Sequence, residues 1–199
     1  MIYNIYDIGS YTGLEIDEIV LIMKRHNLDY RIYSIEGYPE YANKLRKKYQ
    51  DNPNIEVINA LICGDTKETK LYISRVAQGH SIYDSKNNCT SNYVNIMGYK
   101  FSDFIKESFK DPNSINILRF NIEGAELDLL NDILENDLNK YINLWAGATP
   151  GADILKCAKI KDEYNDYLQR LKNNNIIIHH FCADTPNDNV DIEKLILSL

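Results

Sequence analysis

Short apolar runs alternate along the chain with segments whose apolar positions recur every three or four residues, and turn-forming residues separate the two kinds. The runs cover residues 3–8, 30–36, 55–63, 115–122, 141–146 and 176–182 and predict strands. Residues 115–122 are almost continuously apolar, as a strand covered on both faces of a parallel sheet should be. Residues 14–26 place Leu14, Ile19, Ile22 and Met23 at helical spacing. After Pro39, a residue suited to a first helical turn, Tyr41, Leu45 and Tyr49 recur every four positions. Further helices are predicted over 101–109, 126–138 and 154–172, and residues 70–75 read as a short extra strand. Residues 76–98 are polar and irregular and are expected to form a variable, substrate-facing loop. The last ten residues fit either a strand or a short helix. The alternation predicts an α/β fold, a mostly parallel central sheet with helices on both faces. Ligands of such sheets sit beyond the carboxyl ends of the strands, where strand order reverses.

The 199 residues suit one domain spanning 1–199. A formal net charge of −7 leaves no obvious basic surface for phosphates, so nucleic acid is not an expected partner. No stretch approaches the ~20 apolar residues of a membrane helix, and the N-terminus lacks the pattern of a secretory signal. Cys63, Cys89, Cys157 and Cys182 form no CxxC pair, which suggests neither a zinc knuckle nor a disulfide framework. The expectation is a cytoplasmic protein.

Three blocks carry candidate chemistry. The first is Asp7-Ile8-Gly9-Ser10-Tyr11-Thr12-Gly13, which leads from a strand into a helix. Gly9 permits a tight turn and Gly13 a close backbone approach. A dinucleotide site wants G-x-G-x-x-G for its pyrophosphate. The spacing here is G-x-x-x-G with a tyrosine at 11, which suits a ligand whose amino-acid end meets the loop, Asp7 accepting from an ammonium. A bare strand-to-helix turn fits the glycines as well. The second block, Glu36-Gly37-Tyr38-Pro39, ends the second strand, where a carboxylate can accept from both hydroxyls of an adenosine ribose. Tyr38 could stack beside the base, and Asn59 and Ala60 could bound it. The third block is Arg119-Phe120-Asn121-Ile122-Glu123-Gly124-Ala125-Glu126. Asn121 and Glu123 fall where a central strand ends, whereas an acid such as Glu126 in a first turn often only complements the helix dipole.

Together these blocks resemble the FkbM-type S-adenosylmethionine-dependent methyltransferases, whose motifs read approximately D-[IV]-G-A-N-x-G, E-P-x-P and K-[IV]-D-[IV]-E-G-A-E. The resemblance covers roughly residues 3–134. It implies a Rossmann-like class I methyltransferase fold, S-adenosyl-L-methionine as cofactor, and O-methylation of a sugar, glycan or other small molecule. Asp7, Gly9, Ser10, Tyr11, Thr12, Gly13, Glu36, Gly37, Tyr38, Asn59, Ala60 and Asn121 are then the expected cofactor residues. Glu123, then His80, are the candidate bases beside Asn121, and Ser81 and Glu126 are candidate substrate contacts. The departures bear on chemistry. Asn121 stands where the family usually has aspartate, Arg119 where it often has lysine, Ser10-Tyr11 replaces Ala-Asn, and Gly37 replaces a proline. Without a carboxylate at 121 or near Trp145, no metal is expected. Two rival readings remain: a weak or inactive cofactor-binding scaffold, favoured by Asn121, and an NAD-linked oxidoreductase, which fits the sheet but not the glycine spacing. No lid segment precedes the first predicted strand, so residues 76–98 or a neighbouring subunit of a homo-oligomer are expected to cover the acceptor.

Overall fold

The computed structural model describes residues 1–76, 79–148, 152–183 and 185–199. Its elements run β1 (Ile2–Ile8), α1 (Leu14–Arg25), β2 (Tyr30–Glu36), α2 (Pro39–Tyr49), β3 (Ile55–Asn59), β4 (Leu61–Ile62), β5 (Lys67–Ser74) and β6 (Cys89–Tyr99). They continue with β7 (Ser114–Phe120), α3 (Glu126–Glu135), β8 (Leu144–Gly147), α4 (Ala152–Leu155), α5 (Tyr164–Asn173), β9 (Ile178–His180) and α6 (Ile192–Leu197). Six strands form one sheet in the order β3-β2-β1-β7-β8-β9, with every pairing parallel.

The burial of this sheet explains its sequence. All seven residues of β7 are buried. Ile16, Ile19 and Met23 of α1, Leu45 of α2 and Ile196 of α6 join the core on one face. Leu130 and Ile133 of α3 and Tyr167 and Leu171 of α5 join the core on the other. Each fully buried Leu or Ile contributes roughly 1.5–3 kcal/mol, so the two-sided cover is what holds an all-parallel sheet together. The polar intruder Asn116 is satisfied, its Nδ2 donating to the carbonyls of Phe109 and Tyr141, both at 2.8 Å.

The chain winds outward from β1 to β3 and then returns to β7 on the other side of β1. Counted among these six strands the order is 3-2-1-4-5-6, that of a Rossmann-like sheet, and its switch point lies at the tips of β1 and β7.

Four segments depart from the sequence expectation. The run 55–63 divides, and Leu61–Ile62 leaves the main sheet to pair with β6. Residues 76–98 are less irregular than their polarity suggests, because β6 is an eleven-residue strand paired antiparallel with β5. Much of β6 is exposed or half-buried, so it carries no apolar signal. Ala77 and Gln78 of that segment lie outside the described residues. Residues 101–109 form two short 3-10 turns that bury Phe101 and Phe109. The helix predicted over 154–172 is broken into α4 and α5, because Lys156 and Ala158 spend backbone groups on the 85–87 segment. Asn87 N–H donates to Lys156 O at 3.1 Å and Ala158 N–H to Ser85 O at 3.3 Å. The undecided C-terminal residues form α6, whose Asp191 caps the helix by accepting from the Lys194 N–H at 2.9 Å.

Candidate active site

The glycine turn after β1 is shaped by two close approaches. Gly9 has φ +81°, and a Cβ there would lie 2.0 Å from the carbonyl oxygen of Asn121. Only glycine lets the tip of β1 press on the backbone that leaves β7. Gly13 has φ +73°, and a Cβ would lie 2.4 Å from the Tyr49 hydroxyl, which donates to Gly13 O at 2.7 Å. The close approach at Gly13 is therefore to α2, not to a ligand as its spacing suggested.

Tyr11, also left-handed at φ 47°, turns its N–H toward the tip of β2. There Glu36 Oε2 accepts from Tyr11 N at 2.9 Å and Oε1 from Tyr38 N at 2.7 Å. Glu36 is 7% exposed, and burial pushes its carboxyl above the usual range, with the two N–H donors opposing. Asn59 Nδ2 donates to the carbonyls of Glu36 and Gly37 at 2.8 and 3.0 Å, fastening β3 to the same tip.

Beneath the turn lies a buried ionic group. Arg119, 1% exposed, donates from Nη1 to Asp7 Oδ1 and to Gly9 O, each at 3.1 Å, and from Nη2 to Glu15 Oε1. Asp7 is fully buried, and burial pushes its carboxyl upward against the pull of Arg119. Ser10 donates to Asp7 O at 3.0 Å and accepts from Ser34 at 2.9 Å. Asp7 and Ser10 thus sit under the site and hold its floor; neither lines the crevice.

The crevice itself opens at the switch point. Its end on the β2–β3 side of the sheet is lined by Ile35, Ala60, Leu61, Ile62 and Leu71, with Glu36, Gly37, Gly9, Tyr11 and Thr12 also on the wall; the far end, on the β7 side, holds Asn121, Glu123 and Arg119, and Glu15, bonded to Arg119 and Ala183. Gly79 and His80, from the β5–β6 connection, close one side. His80 Nδ1 accepts from Ser74 N at 3.0 Å, which assigns the ring proton to Nε2 in the neutral imidazole. Burial, then Lys86, hold its pKa below that of an ordinary histidine. With Nδ1 committed and Nε2 protonated, His80 is set up as a donor rather than the base its position suggested. Its ring lies edge-on to Tyr38 (4.6 Å between centroids) and parallel to Tyr41 (5.8 Å), and Tyr41 meets Tyr11 edge-on at 4.7 Å.

Glu123 lines the far end in a left-handed conformation, φ 59°. Its Oε2 forms an ion pair with Lys86, whose side chain is completely buried and also stands 3.4 Å from Asp153. Ser81, 1% exposed, donates to Glu123 O at 2.7 Å. Ser81 therefore supports the backbone of Glu123 and stands off the crevice wall. Glu126 is buried too, its Oε2 accepting from Gly124 N at 2.9 Å; burial, reinforced by Asp153, pushes its carboxyl up to about 7. Of the predicted residues, Asp7, Ser10, Gly13, Tyr38, Asn59, Ser81 and Glu126 lie off the crevice wall, and Gly9, Tyr11, Thr12, Glu36, Gly37, Ala60, His80, Asn121 and Glu123 lie on it.

Four contributors escaped the sequence reading. An acid in a first helical turn, as Glu15 is, suits the helix dipole in any protein and so marks no site, and Tyr41 belongs to a helical stripe. Arg119 registers in the sequence only as a departure from lysine, and Lys86 falls in a stretch without periodicity. The buried positions of Arg119 and Lys86 depend on long-range pairing that no local pattern encodes.

Comparison with known proteins adds the following. A family model described as the methyltransferase FkbM domain matches residues 7–175. A crystal structure of methyltransferase FkbM from Methylobacillus flagellatus KT is 18% identical, with a TM-score of 0.37. The match covers 67% of this chain and 30% of that one, so the chain spans under a third of that protein's length. No curated protein matches the chain. Blocks, order and spacing lead to one assignment: the chain belongs to the FkbM methyltransferase domain family.

Proposed function

We propose that this domain binds S-adenosyl-L-methionine in the switch-point crevice and transfers its methyl group to a hydroxyl of a glycan or other small molecule. The observation that carries the reading is the buried Glu36 carboxylate, set between an apolar end and a charged end of one crevice. An adenosine ring suits Ile35, Ala60, Leu61 and Leu71, its ribose hydroxyls suit Glu36, and an amino-acid end suits the charged residues beyond Gly9. Two polar atoms of the wall, Asn121 Oδ1 and His80 Nε2, are buried without hydrogen-bond partners among the described residues. Buried polar atoms left unmatched cost about 1–3 kcal/mol each, so a ligand that engages them gains affinity.

The bound cofactor supplies an electrophilic methyl on a sulfonium. The chain's own part is to orient the acceptor, exclude water and take a proton. The Tyr11, Tyr41 and His80 rings line the crevice and limit water there, with Tyr38 packed against His80. Asn121, an amide, accepts hydrogen bonds and takes no proton, which leaves Glu123 as the residue to receive the hydroxyl proton. One Glu123 oxygen is held by Lys86, so the carboxylate is fixed in orientation while the other oxygen is left to face the acceptor.

Calorimetric titration with S-adenosylhomocysteine tests the cofactor reading. Glu36→Ala is expected to bind roughly 10- to 100-fold more weakly, the worth of charge-assisted hydrogen bonds. Glu36→Gln, which keeps one acceptor for the Tyr11 or Tyr38 N–H, controls for collapse of the turn. Affinity unchanged in both places the ribose elsewhere. A second reading, a cofactor-binding scaffold, is favoured by the amide at 121. Incubation with labelled donor and a panel of glycans separates the two: binding without transfer across the panel selects the scaffold.

A further inference from the structure

Two carboxylates, Asp7 and Glu15, lie near the glycine turn, and the sequence points to Asp7 as receiver of the cofactor's ammonium. The structure points to the other. Asp7 has no exposed surface, does not line the crevice, and gives Oδ1 to Arg119. Glu15 lines the crevice from the first turn of α1. Its Oε1 accepts from Arg119 Nη2 and from Ala183 N at 3.0 Å, which fixes the carboxylate between the start of α1 and the segment after β9. Its Oε2 makes no hydrogen bond among the described residues.

A second observation stands beside it. Arg119 also lines the crevice, is 1% exposed, and has an Nε–H with no acceptor among the described residues. A carboxylate with an uncommitted oxygen and a guanidinium with an uncommitted N–H, side by side at the crevice end opposite the apolar one, match the two charges of an α-amino acid. We propose that Glu15 and Arg119 form the seat for the zwitterionic end of the cofactor, with Glu15 accepting from its ammonium. Asp7 then acts beneath the seat by holding Arg119, and Glu15 becomes the residue that distinguishes a cofactor with an amino-acid tail from a bare adenosyl thioether.

This inference rests on the cofactor reading above, and the experiment separates the two. S-adenosylhomocysteine and its analogue lacking the α-amino group are titrated calorimetrically into the wild type and into Glu15→Gln, which keeps an acceptor for the Ala183 N–H. The wild type is expected to lose about 10-fold in affinity when the amino group is removed, within the range of a charge-assisted hydrogen bond. Glu15→Gln is expected to bind both compounds equally. A wild type that binds both, with the 10-fold difference preserved in Glu15→Gln, overturns the seat and leaves the cofactor reading intact. A wild type that binds neither overturns the cofactor reading, and the seat with it. If Glu15→Gln fails to fold, a crystal structure of the wild type with S-adenosylhomocysteine decides. An ammonium within hydrogen-bond reach of a Glu15 oxygen, about 3 Å, supports the seat, and one bonded elsewhere overturns it.

Discussion

Replacing Glu126 by glutamine should stabilise the protein in alkaline solution and do little in acid. The side chain is 6% exposed, and in the folded chain its carboxyl titrates near 7 instead of 4.5, because burial and Asp153 disfavour its charge. Between these two values the folded state holds a proton that the unfolded state has released, so stability falls as pH rises through the interval. At about 1.4 kcal/mol per pH unit, the interval amounts to about 3 kcal/mol, fully present below 4.5 and lost above 7. Glutamine cannot ionise, and its amide oxygen can still accept from the Gly124 N–H that Glu126 now serves. The variant is therefore expected to exceed the wild type by about 3 kcal/mol at pH 8 and by less than about 1 kcal/mol at pH 5. Urea unfolding at both pH values, extrapolated linearly to water, measures the difference. Other carboxyls held high, such as the buried Asp7 and the half-buried Asp128, titrate in both proteins and cancel. A gain no larger at pH 8 than at pH 5 would refute the reasoning.

Two further perturbations probe the floor of the site. Gly13→Ala combines a left-handed backbone with a Cβ pressed on Tyr49, and is expected to cost about 3 kcal/mol in urea unfolding. Adding Tyr49→Phe, which removes the nearest atom, should recover part of that loss; no recovery would locate the strain in the backbone alone. Lys86→Met strands Glu123 without its ammonium, while Asp153 keeps that of Lys156 at 2.9 Å, and should destabilise by about 3 kcal/mol. The double variant with Glu123→Gln is expected to be more stable than Lys86→Met, and equal losses in the two would show that the ion pair does not carry the effect.

What the sequence made legible follows from which forces are local. The strands of the main sheet show as apolar runs because each is covered on two faces, and 115–122 is the strongest case, its strand β7 being buried throughout. The glycine turn and Glu36 are equally visible, since a positive φ and a strand-end carboxylate leave marks in the residue types themselves. The β6 strand is hidden because its partners, β4 and β5, complete only a small second sheet and much of its surface faces water. The break between α4 and α5 is hidden because it depends on backbone bonds to residues some seventy positions away. Among the residues of the crevice wall, spacing marks Glu36 and Asn121, whereas the hydroxyls of Ser10 and Ser81 serve backbone carbonyls, which residue type alone does not reveal. The roles of Lys86 and Arg119 arise from counter-charges on other elements, and periodicity cannot reveal those.

The contact of Gly9 with the Asn121 carbonyl has an evolutionary consequence. Main-chain atoms set the spacing between the first strand and its neighbour, while the group projecting from position 121 takes no part in that abutment. An acid and its amide are nearly isosteric, so swapping one for the other at 121 leaves the joint undisturbed and changes only whether that spot bears a titratable proton. Descendants of a single scaffold can thus diversify their reactivity at the cleft through a single-residue exchange that folding does not oppose.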